Sequence, residues 1–459
     1  ADALNALGIA HEELGETARA LERYEEAAAL RREIGDRRGY AATLTNLGAL
    51  EFLEGRFEAG RARLEEALGI LREIGDQEGM AGLENNFGLL EEERGRYEEA
   101  LEHYRRALQM RQERGDRRAI AESLNNVGFA YHLLGEYDNA GVYWQRALDL
   151  YQAGGNREGV VIAGQSLGLL ALVKGEWPAA LRRFLETLEA SRELGMRQAE
   201  AVSLGNLGRV AQLQGRYGAA LDSYGKALAA VEELDDPRGL AEFTLFRASA
   251  LVELGRLEAA EEGLGRVGEW LEAGGNREQE AELARLRGEL ALARGDAAGA
   301  RRSFQDALEG ARASGSFLAR VAALQGLARA DLAAGRPEAA AEGLAAVVEE
   351  AEAAGCTLLV LDASDDLALA LLRSGDPDGA QAAARRALHR LSGAGGYGEA
   401  WRLHRVLAEV EETRGGGEAA ARAWAAAAEE VERVREGLGD DERRAFDSLP
   451  EVRRIAERA

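Results

Sequence analysis

The pattern of small, apolar and polar residues repeats along the chain with a period of 40 residues. Glycine occupies one position of this period eleven times without a shift, at Gly15, Gly55, Gly95, Gly135, Gly175, Gly215, Gly255, Gly295, Gly335, Gly375 and Gly415. When this glycine is numbered position 15 of its repeat, positions 4, 7, 8, 10 and 11 share one face at helical spacing. The period therefore predicts an array of about eleven similar repeats.

Small residues recur where two helices would meet. Position 8 is glycine or alanine in every repeat, from Gly8 to Ala408. Glycine inside a helix costs roughly 1 kcal/mol relative to alanine, so its return indicates a helix–helix contact without room for a larger side chain. Position 24 is mostly aromatic or large, as in Tyr24 and Trp144. These large side chains are predicted to fill the space beside positions 8 and 20.

Two turns divide each repeat. Glycine at position 15 is suited to the left-handed conformation that ends a helix. Position 35 is often glycine again, and a capping residue follows it, as in Gly35 and Asp36. Each repeat is thus predicted to hold two antiparallel helices, helix A and helix B, with no strand anywhere. The predicted fold class is all-α.

These columns resemble the tetratricopeptide repeat, as Leu204, Leu207-Gly208, Ala220, Tyr224 and Ala227 illustrate. The resemblance covers residues 1–440. The period is 40 rather than about 34, which is similar to the long repeats of Pins-type (Leu-Gly-Asn) adaptors, kinesin light chains and the sensor arms of MalT-like regulators and other STAND ATPases. The resemblance implies an α-solenoid, a right-handed superhelix whose helices A line the concave wall.

Asparagine recurs at positions 5 and 6, on the face of helix A that would line this wall. The residues are Asn5, Asn46, Asn85, Asn86, Asn125, Asn126 and Asn206. Asparagine is a mediocre helix former, but its amide can donate to and accept from a peptide backbone. Kinesin light chains and Pins-type adaptors use groove asparagines, so the resemblance implies the same role here. The alternative is that these amides bond neighbouring helices or local backbone.

Apolar residues at positions 9 and 13 would lie beside these amides: Leu89, Phe129, Leu133 and Leu169. Together the two sets predict a groove that takes the apolar anchors of a peptide or helix. The alternative is that some of the apolar residues pack between the A helices. Position 6 loses asparagine after Asn206. Residues 1–240 are therefore predicted to bind the partner, residues 241–440 to form an alanine-rich second half, and residues 441–459 to be a C-terminal capping helix or tail.

Composition narrows the partner. The net charge is −24, which would repel nucleic acid and favours a basic partner. No apolar run is long enough to span a membrane. Cys356 is the single cysteine, which fits a reducing compartment, so a cytoplasmic location is predicted. The chain starts at Ala1 within a helical pattern and is interpreted as a fragment of a larger protein.

Residues for chemistry are sparse. The five histidines lack the spacing of a helical zinc motif, and no phosphate-binding glycine loop occurs. The predicted function is therefore a non-catalytic scaffold, without cofactor or metal, that binds a peptide or protein segment as the sensor or adaptor part of a larger bacterial signalling protein. The alternative is the sensing arm of a STAND-type ATPase or transcription regulator that recognises a small molecule or foreign protein. A self-associating structural array is a third hypothesis.

Overall fold

The structure is a computed structural model that describes residues 1–14, 16–272, 277–391 and 396–459, apart from the side chains of Glu13, Leu53 and Glu272. The predicted turn residue Gly15 lies outside this range. The A helices are α1 Asp2–Glu13, α3 Arg37–Leu53, α5 Gln77–Glu93, α7 Arg117–Leu133, α9 Arg157–Val173, α11 Arg197–Leu213, α13 Pro237–Glu253, α15 Arg277–Ala293, α17 Phe317–Ala333, α19 Thr357–Arg373 and α21 Ala400–Thr413.

The B helices are α2 Thr17–Glu33, α4 Phe57–Glu73, α6 Tyr97–Arg114, α8 Tyr137–Ala153, α10 Trp177–Leu194, α12 Tyr217–Glu233, α14 Leu257–Glu272, α16 Ala297–Ser314, α18 Pro337–Ala353, α20 Pro377–Arg390 and α22 Gly417–Arg435. Two short helices follow, α23 Asp440–Ser448 and α24 Pro450–Arg458. Over the described ranges no strand occurs. The prediction of an all-α solenoid of eleven helix pairs is confirmed.

Contacts divide the chain into two compact units, which are described separately. The N-terminal unit is Ala1–Ala130 and the C-terminal unit is Tyr131–Ala459. The boundary falls inside α7. The predicted division at residue 240 is a separate matter, since it concerns partner binding, and it stays a prediction.

Capping residues begin many of the A helices as the sequence predicts. The side chains of Asp36, Asp76 and Asn156 each accept a hydrogen bond from the backbone N–H three residues later, at 2.9–3.0 Å. The glycine before such a cap is left-handed, as at Gly35 (φ 75°), which precedes Asp36. Asp235 takes this position in its repeat with φ 50°, and Pro237 then begins α13. The same turn is thus made without glycine.

The contact predicted at position 8 is confirmed in both units. A Cβ atom added to Gly88 would lie 2.4 Å from Cε1 of Tyr104, and one added to Gly168 would lie 2.6 Å from Cε1 of Phe184. Both aromatic side chains are fully buried. Because no real Cβ tolerates such distances, the missing side chain is what lets helices A and B of a repeat pack closely.

The C-terminal unit makes a further set of contacts between repeats far apart in sequence. The turns at Gly135, Gly175, Gly215 and Gly255 approach Phe317, Thr357, Gly398 and Leu449, respectively. The N–H of Gly398 donates to the carbonyl oxygen of Leu213 at 2.8 Å. These contacts advance by one repeat at a time, so the early and late repeats of this unit pack side by side.

The last repeat of the C-terminal unit is covered by α23 and α24. Phe446, Val452 and Ile455 are buried in one cluster with Trp401 and Trp424. A terminal repeat has no neighbour to bury its apolar face, so helices of this kind supply the missing partner. No helix of the described residues has the length and apolar content needed to cross a membrane.

Candidate partner-binding surface

In the N-terminal unit, amides of successive A helices bond to each other. The Nδ2 group of Asn126 donates to Oδ1 of Asn85 at 2.8 Å, and Nδ2 of Asn46 donates to Oδ1 of Asn5 at 3.4 Å. Both pairs join position 6 of one repeat to position 5 of the repeat before it. All four side chains are half-buried. Some of the asparagines at positions 5 and 6 therefore serve contacts between helices, as the alternative interpretation anticipated.

Asn86 and Leu89 are differently placed on the same unit. Within the described part of the chain, no hydrogen bond reaches the half-buried amide of Asn86. Leu89, one helical turn later, is 44% exposed. Residues three apart on a helix lie on the same side, so α5 presents a free amide next to an exposed leucine. Asn125 and Phe129 on α7 are half-buried as well.

The predicted groove residues of the C-terminal unit are less accessible to a partner. Leu133 is only 8% exposed, so for this residue the structure favours packing between helices. The Nδ2 group of Asn206 donates to the carbonyl oxygen of Val202 in its own helix at 3.1 Å, and Arg209 donates to its Oδ1 at 3.5 Å. Leu169 remains half-buried.

The later A helices carry a charged network that the residues at position 6 alone do not predict. Arg329 pairs with Glu289 at 2.6 Å and with Asp366 at 3.4 Å. The Nε2 group of Gln325 donates to Oδ2 of Asp366 at 3.1 Å. Gln325 and Asp366 repeat the relation between positions 5 and 6 seen in the two asparagine pairs. The sequence does indicate this network, through the charged and amide residues at positions 2, 5 and 9 of the later repeats.

Burial shifts the acids of this network. Burial, with a smaller contribution from the nearby Glu399, raises the pKa of Glu253 and that of Asp362, each to about 7. Burial alone would lower the pKa of Arg329, but Glu289 and Asp366 raise it well above the usual value. The arginines therefore stay charged, while some of the carboxyls are readily protonated near neutral pH.

Two buried groups of types often used in catalysis, His132 and Cys356, are poorly suited to it here. Burial lowers the pKa of His132 to about 3, which makes it a weak base. Burial raises the pKa of the Cys356 thiol to about 11, so little of the reactive thiolate forms at neutral pH. Among the residues that the structure describes, no group of three or more His, Cys, Asp or Glu is arranged to hold a metal ion.

Comparison with known families agrees with the geometry. Models described as "Tetratricopeptide repeat" match residues 1–73, 39–113, 79–153 and 160–233, and a second model of that description matches residues 366–433. Together they cover more than half of the chain. The chain belongs to the tetratricopeptide repeat family. Tetratricopeptide arrays are protein-interaction scaffolds, and neither matching model describes an enzyme.

Solved structures of other proteins are similar to this chain in fold. A Rap protein complexed with Competence and Sporulation Factor has a TM-score of 0.55 at 17% identity, over 77% of this tetratricopeptide chain and 98% of that one. The apo form of RapI has a TM-score of 0.50 at 14% identity, over 60% and 98%. BtubC (BKLC) from P. vanneervenii has a TM-score of 0.43 at 20% identity, over 48% and 92%. At these identities the likeness concerns the fold. No curated protein sequence matches the chain significantly.

Proposed function

We propose that the N-terminal unit of this tetratricopeptide array binds an extended segment of a peptide or protein on its A-helix surface. This surface is formed by α1, α3, α5 and the part of α7 up to Ala130. The observation that carries the proposal is the neighbouring pair on α5, the free amide of Asn86 and the exposed side chain of Leu89. It offers a backbone hydrogen bond and an apolar contact within one helical turn.

The paired amides support the same role. An asparagine amide has two N–H donors and one carbonyl acceptor. The bond from Asn126 to Asn85 uses one donor of Asn126, which leaves a second N–H and the carbonyl oxygen. The bond also restrains the side chain, so less conformational entropy is lost when a partner binds. Each hydrogen bond contributes only about 0.5–1.5 kcal/mol, so several amides would have to act together.

The partner is expected to be basic or to carry apolar anchors. The net charge of −24 attracts basic segments, and Leu89 offers a contact for an aliphatic or aromatic side chain. The Rap protein of similar fold was solved as a complex with Competence and Sporulation Factor. That complex supports the view that a helical-repeat array of this type can hold another molecule, although it identifies none for this chain.

A selected peptide tests the proposal directly. Peptides from a random display library would be selected on the full chain, and their affinities measured by calorimetry. Leu89→Ala should weaken a selected peptide about tenfold or more, because a buried leucine contact is worth roughly 1.5–3 kcal/mol. Asn86→Ala should weaken it several-fold, by the value of one hydrogen bond.

Leu30→Ala is the matched control, since Leu30 is 37% exposed on the B helix α2. It should leave the affinity unchanged. Selected peptides whose affinity is the same for Leu89→Ala and Asn86→Ala as for the unmodified chain would refute binding at this surface.

The wider role in a bacterial signalling protein, as a sensor or adaptor, stays a prediction. So does the alternative of a sensing arm in a STAND-type ATPase or transcription regulator. The native coding sequence separates these two from a free-standing adaptor. An effector domain joined to the array would support a sensor or adaptor within one chain, and a nucleotide-binding ATPase domain in particular would favour the alternative.

A further inference from the structure

The charged network of the C-terminal unit contains a cavity of about 180 Å³. It lies against α17, α19 and α21, with Glu451 of α24 also on its wall. Leu332 and Leu369 give it an apolar side, and Asp365 and Arg405 give it a charged side. A single water molecule needs only about 10–15 Å³ in such a cavity, so there is room for a small organic molecule.

Arg405 is a buried cation without a direct ion-pair partner among the described residues. Its side chain belongs to a residue that is 6% exposed, and no hydrogen bond or ion pair from the described residues reaches its guanidinium. Burial lowers its pKa, and the carboxylates of Glu451 and Glu409 offset this only in part. A buried guanidinium normally lies against an anion, because desolvation otherwise disfavours its charge.

Asp365 is a buried acidic side chain in the same cavity. It is 5% exposed, its Oδ1 atom accepts no hydrogen bond, and its nearest cation, Arg402, lies 3.9 Å away. Burial raises its pKa, and Asp366 and Glu399 raise it further. Asp365 and Arg405 hold position 5 in consecutive repeats, yet no ion pair joins them. One cavity is therefore lined by two buried groups of opposite type, Arg405 without an ion pair among the described residues and Asp365 with only a long contact to Arg402.

The neighbouring charges do not meet this demand. Arg329 is already paired with Glu289 and Asp366, and Arg402 is paired with Glu399 at 3.2 Å. Glu451 and Glu409 act on Arg405 from nearby without forming an ion pair with it among the described residues, and Arg402 approaches Asp365 only to 3.9 Å. An anion in direct contact with Arg405 and a cation in direct contact with Asp365 would stabilise both groups. A molecule that carries both charges a short distance apart would satisfy both residues.

We propose that this cavity binds a small aliphatic α-amino acid, with its carboxylate on Arg405, its ammonium group on Asp365 and its side chain against Leu332 and Leu369. The site belongs to the C-terminal unit and does not depend on peptide binding by the N-terminal unit. It assigns to the later repeats a small-molecule site of their own.

The test uses the full chain and the amino acids L-alanine, L-valine and L-leucine, each at about 10 mM, which is about ten times the dissociation constant of a weak ligand with a Kd of about 1 mM. At least one should raise the unfolding midpoint and bind in calorimetry. Isovalerate and isobutylamine each keep one of valine's two charged groups, and both should bind at least tenfold more weakly than valine. Arg405→Gln and Asp365→Asn should each weaken binding at least tenfold.

Arg422→Gln is the matched control, because the Arg422 side chain is 71% exposed on the B helix α22. It should bind like the unmodified chain. The proposal is overturned if none of the three amino acids binds, which would leave a cavity that holds water, or if isovalerate binds as tightly as valine, which would make it a simple anion site. Should Arg405→Gln fail to fold, Asp365→Asn and the analogue series still decide between these outcomes.

Discussion

The A-helix surfaces of the two units differ although the repeats beneath them are packed alike. The N-terminal unit presents asparagine amides and apolar side chains, whereas the C-terminal unit presents arginines and carboxyls at equivalent positions. Of the exposed large hydrophobic residues described on A helices, Leu7, Ile9 and Leu89 lie in the N-terminal unit, and Ile162 lies in the longer C-terminal unit. The comparison teaches that positions 8, 20 and 24 maintain the array, while positions 2, 5, 6 and 9 are free to take on a local function.

One geometric relation persists across both surfaces. Position 5 of one repeat bonds to position 6 of the next through Asn85 and Asn126 in the N-terminal unit, and through Gln325 and Asp366 in the C-terminal unit. The stacking of helices A brings these positions together whatever their side chains are. The residue types then decide whether the surface carries uncharged amides that are partly free to bond, or charged side chains that bond to each other.

The largest expected difference concerns how much a substitution near each end of the chain lowers the free energy of unfolding. Phe446 of α23 is 2% exposed and lies 6.4 Å from the ring of Trp401 between centroids, whereas Leu14 near the other end is 73% exposed. Phe446→Ala should lower the free energy of unfolding of the last repeats by about 3–5 kcal/mol, since it opens a cavity in a packed cluster. Hydrogen exchange should show the loss around α21 to α24.

Leu14→Ala is the control for this experiment, because little apolar contact is lost there. Its effect should stay within about 0.5 kcal/mol. If Phe446→Ala were as mild as Leu14→Ala, then α23 and α24 would not stabilise the last repeat, and the contrast between the two ends would fail.

The shared packing of the repeats can be tested with matched glycines in each unit. Gly88→Ala and Gly168→Ala should each destabilise the protein by about 1–3 kcal/mol, because the new Cβ meets Tyr104 or Phe184. Gly69→Ala and Gly225→Ala meet nothing within 4 Å in their helices and should be neutral or stabilise by up to about 1 kcal/mol. Chemical denaturation followed by circular dichroism measures all four. Opposite signs for Gly88→Ala and Gly168→Ala would show that the units are packed differently.

The smallest expected effect is a difference in pH dependence. The pKa of Glu253 is about 7 in the folded protein, against 4.5 for an ordinary glutamate. The folded state therefore keeps a proton that the unfolded state loses between these values, so the unfolding free energy falls as pH rises from about 4.5 to 7. Glu253→Gln should make the fall between pH 5 and pH 8 smaller, as measured by denaturation at each pH.

Glu418→Gln is the control, since that side chain is 95% exposed, and it should leave the pH profile unchanged. The N-terminal unit should not share this dependence, because the pKa of its buried Glu84 is lowered by His103 and Arg106 against the effect of burial. An identical pH profile for Glu253→Gln and the unmodified chain would contradict the raised pKa of Glu253.

The local structure could be predicted from the sequence alone. The 40-residue period, the glycine turns, the capping residues such as Asp36 and the small residues at position 8 depend on neighbours within one repeat. The forces that act there, helix capping, left-handed turns and the fit of a small residue against a large one, can be inferred from spacing. The helix pairs, the family and the close contacts of Gly88 and Gly168 were therefore foreseen.

The surface chemistry was decided by the tertiary structure. Spacing places Asn85 and Asn126 on one face, but only the stacking of repeats makes one donate to the other, which leaves Asn86 free beside Leu89. The approach of Gly215 to Gly398, and the cavity that Asp365 and Arg405 line together, also involve residues from separate repeats. Such contacts depend on the small rotation between one repeat and the next, accumulated over several repeats. The sequence of a single repeat determines the fold of that repeat, but it does not directly show the accumulated rotation.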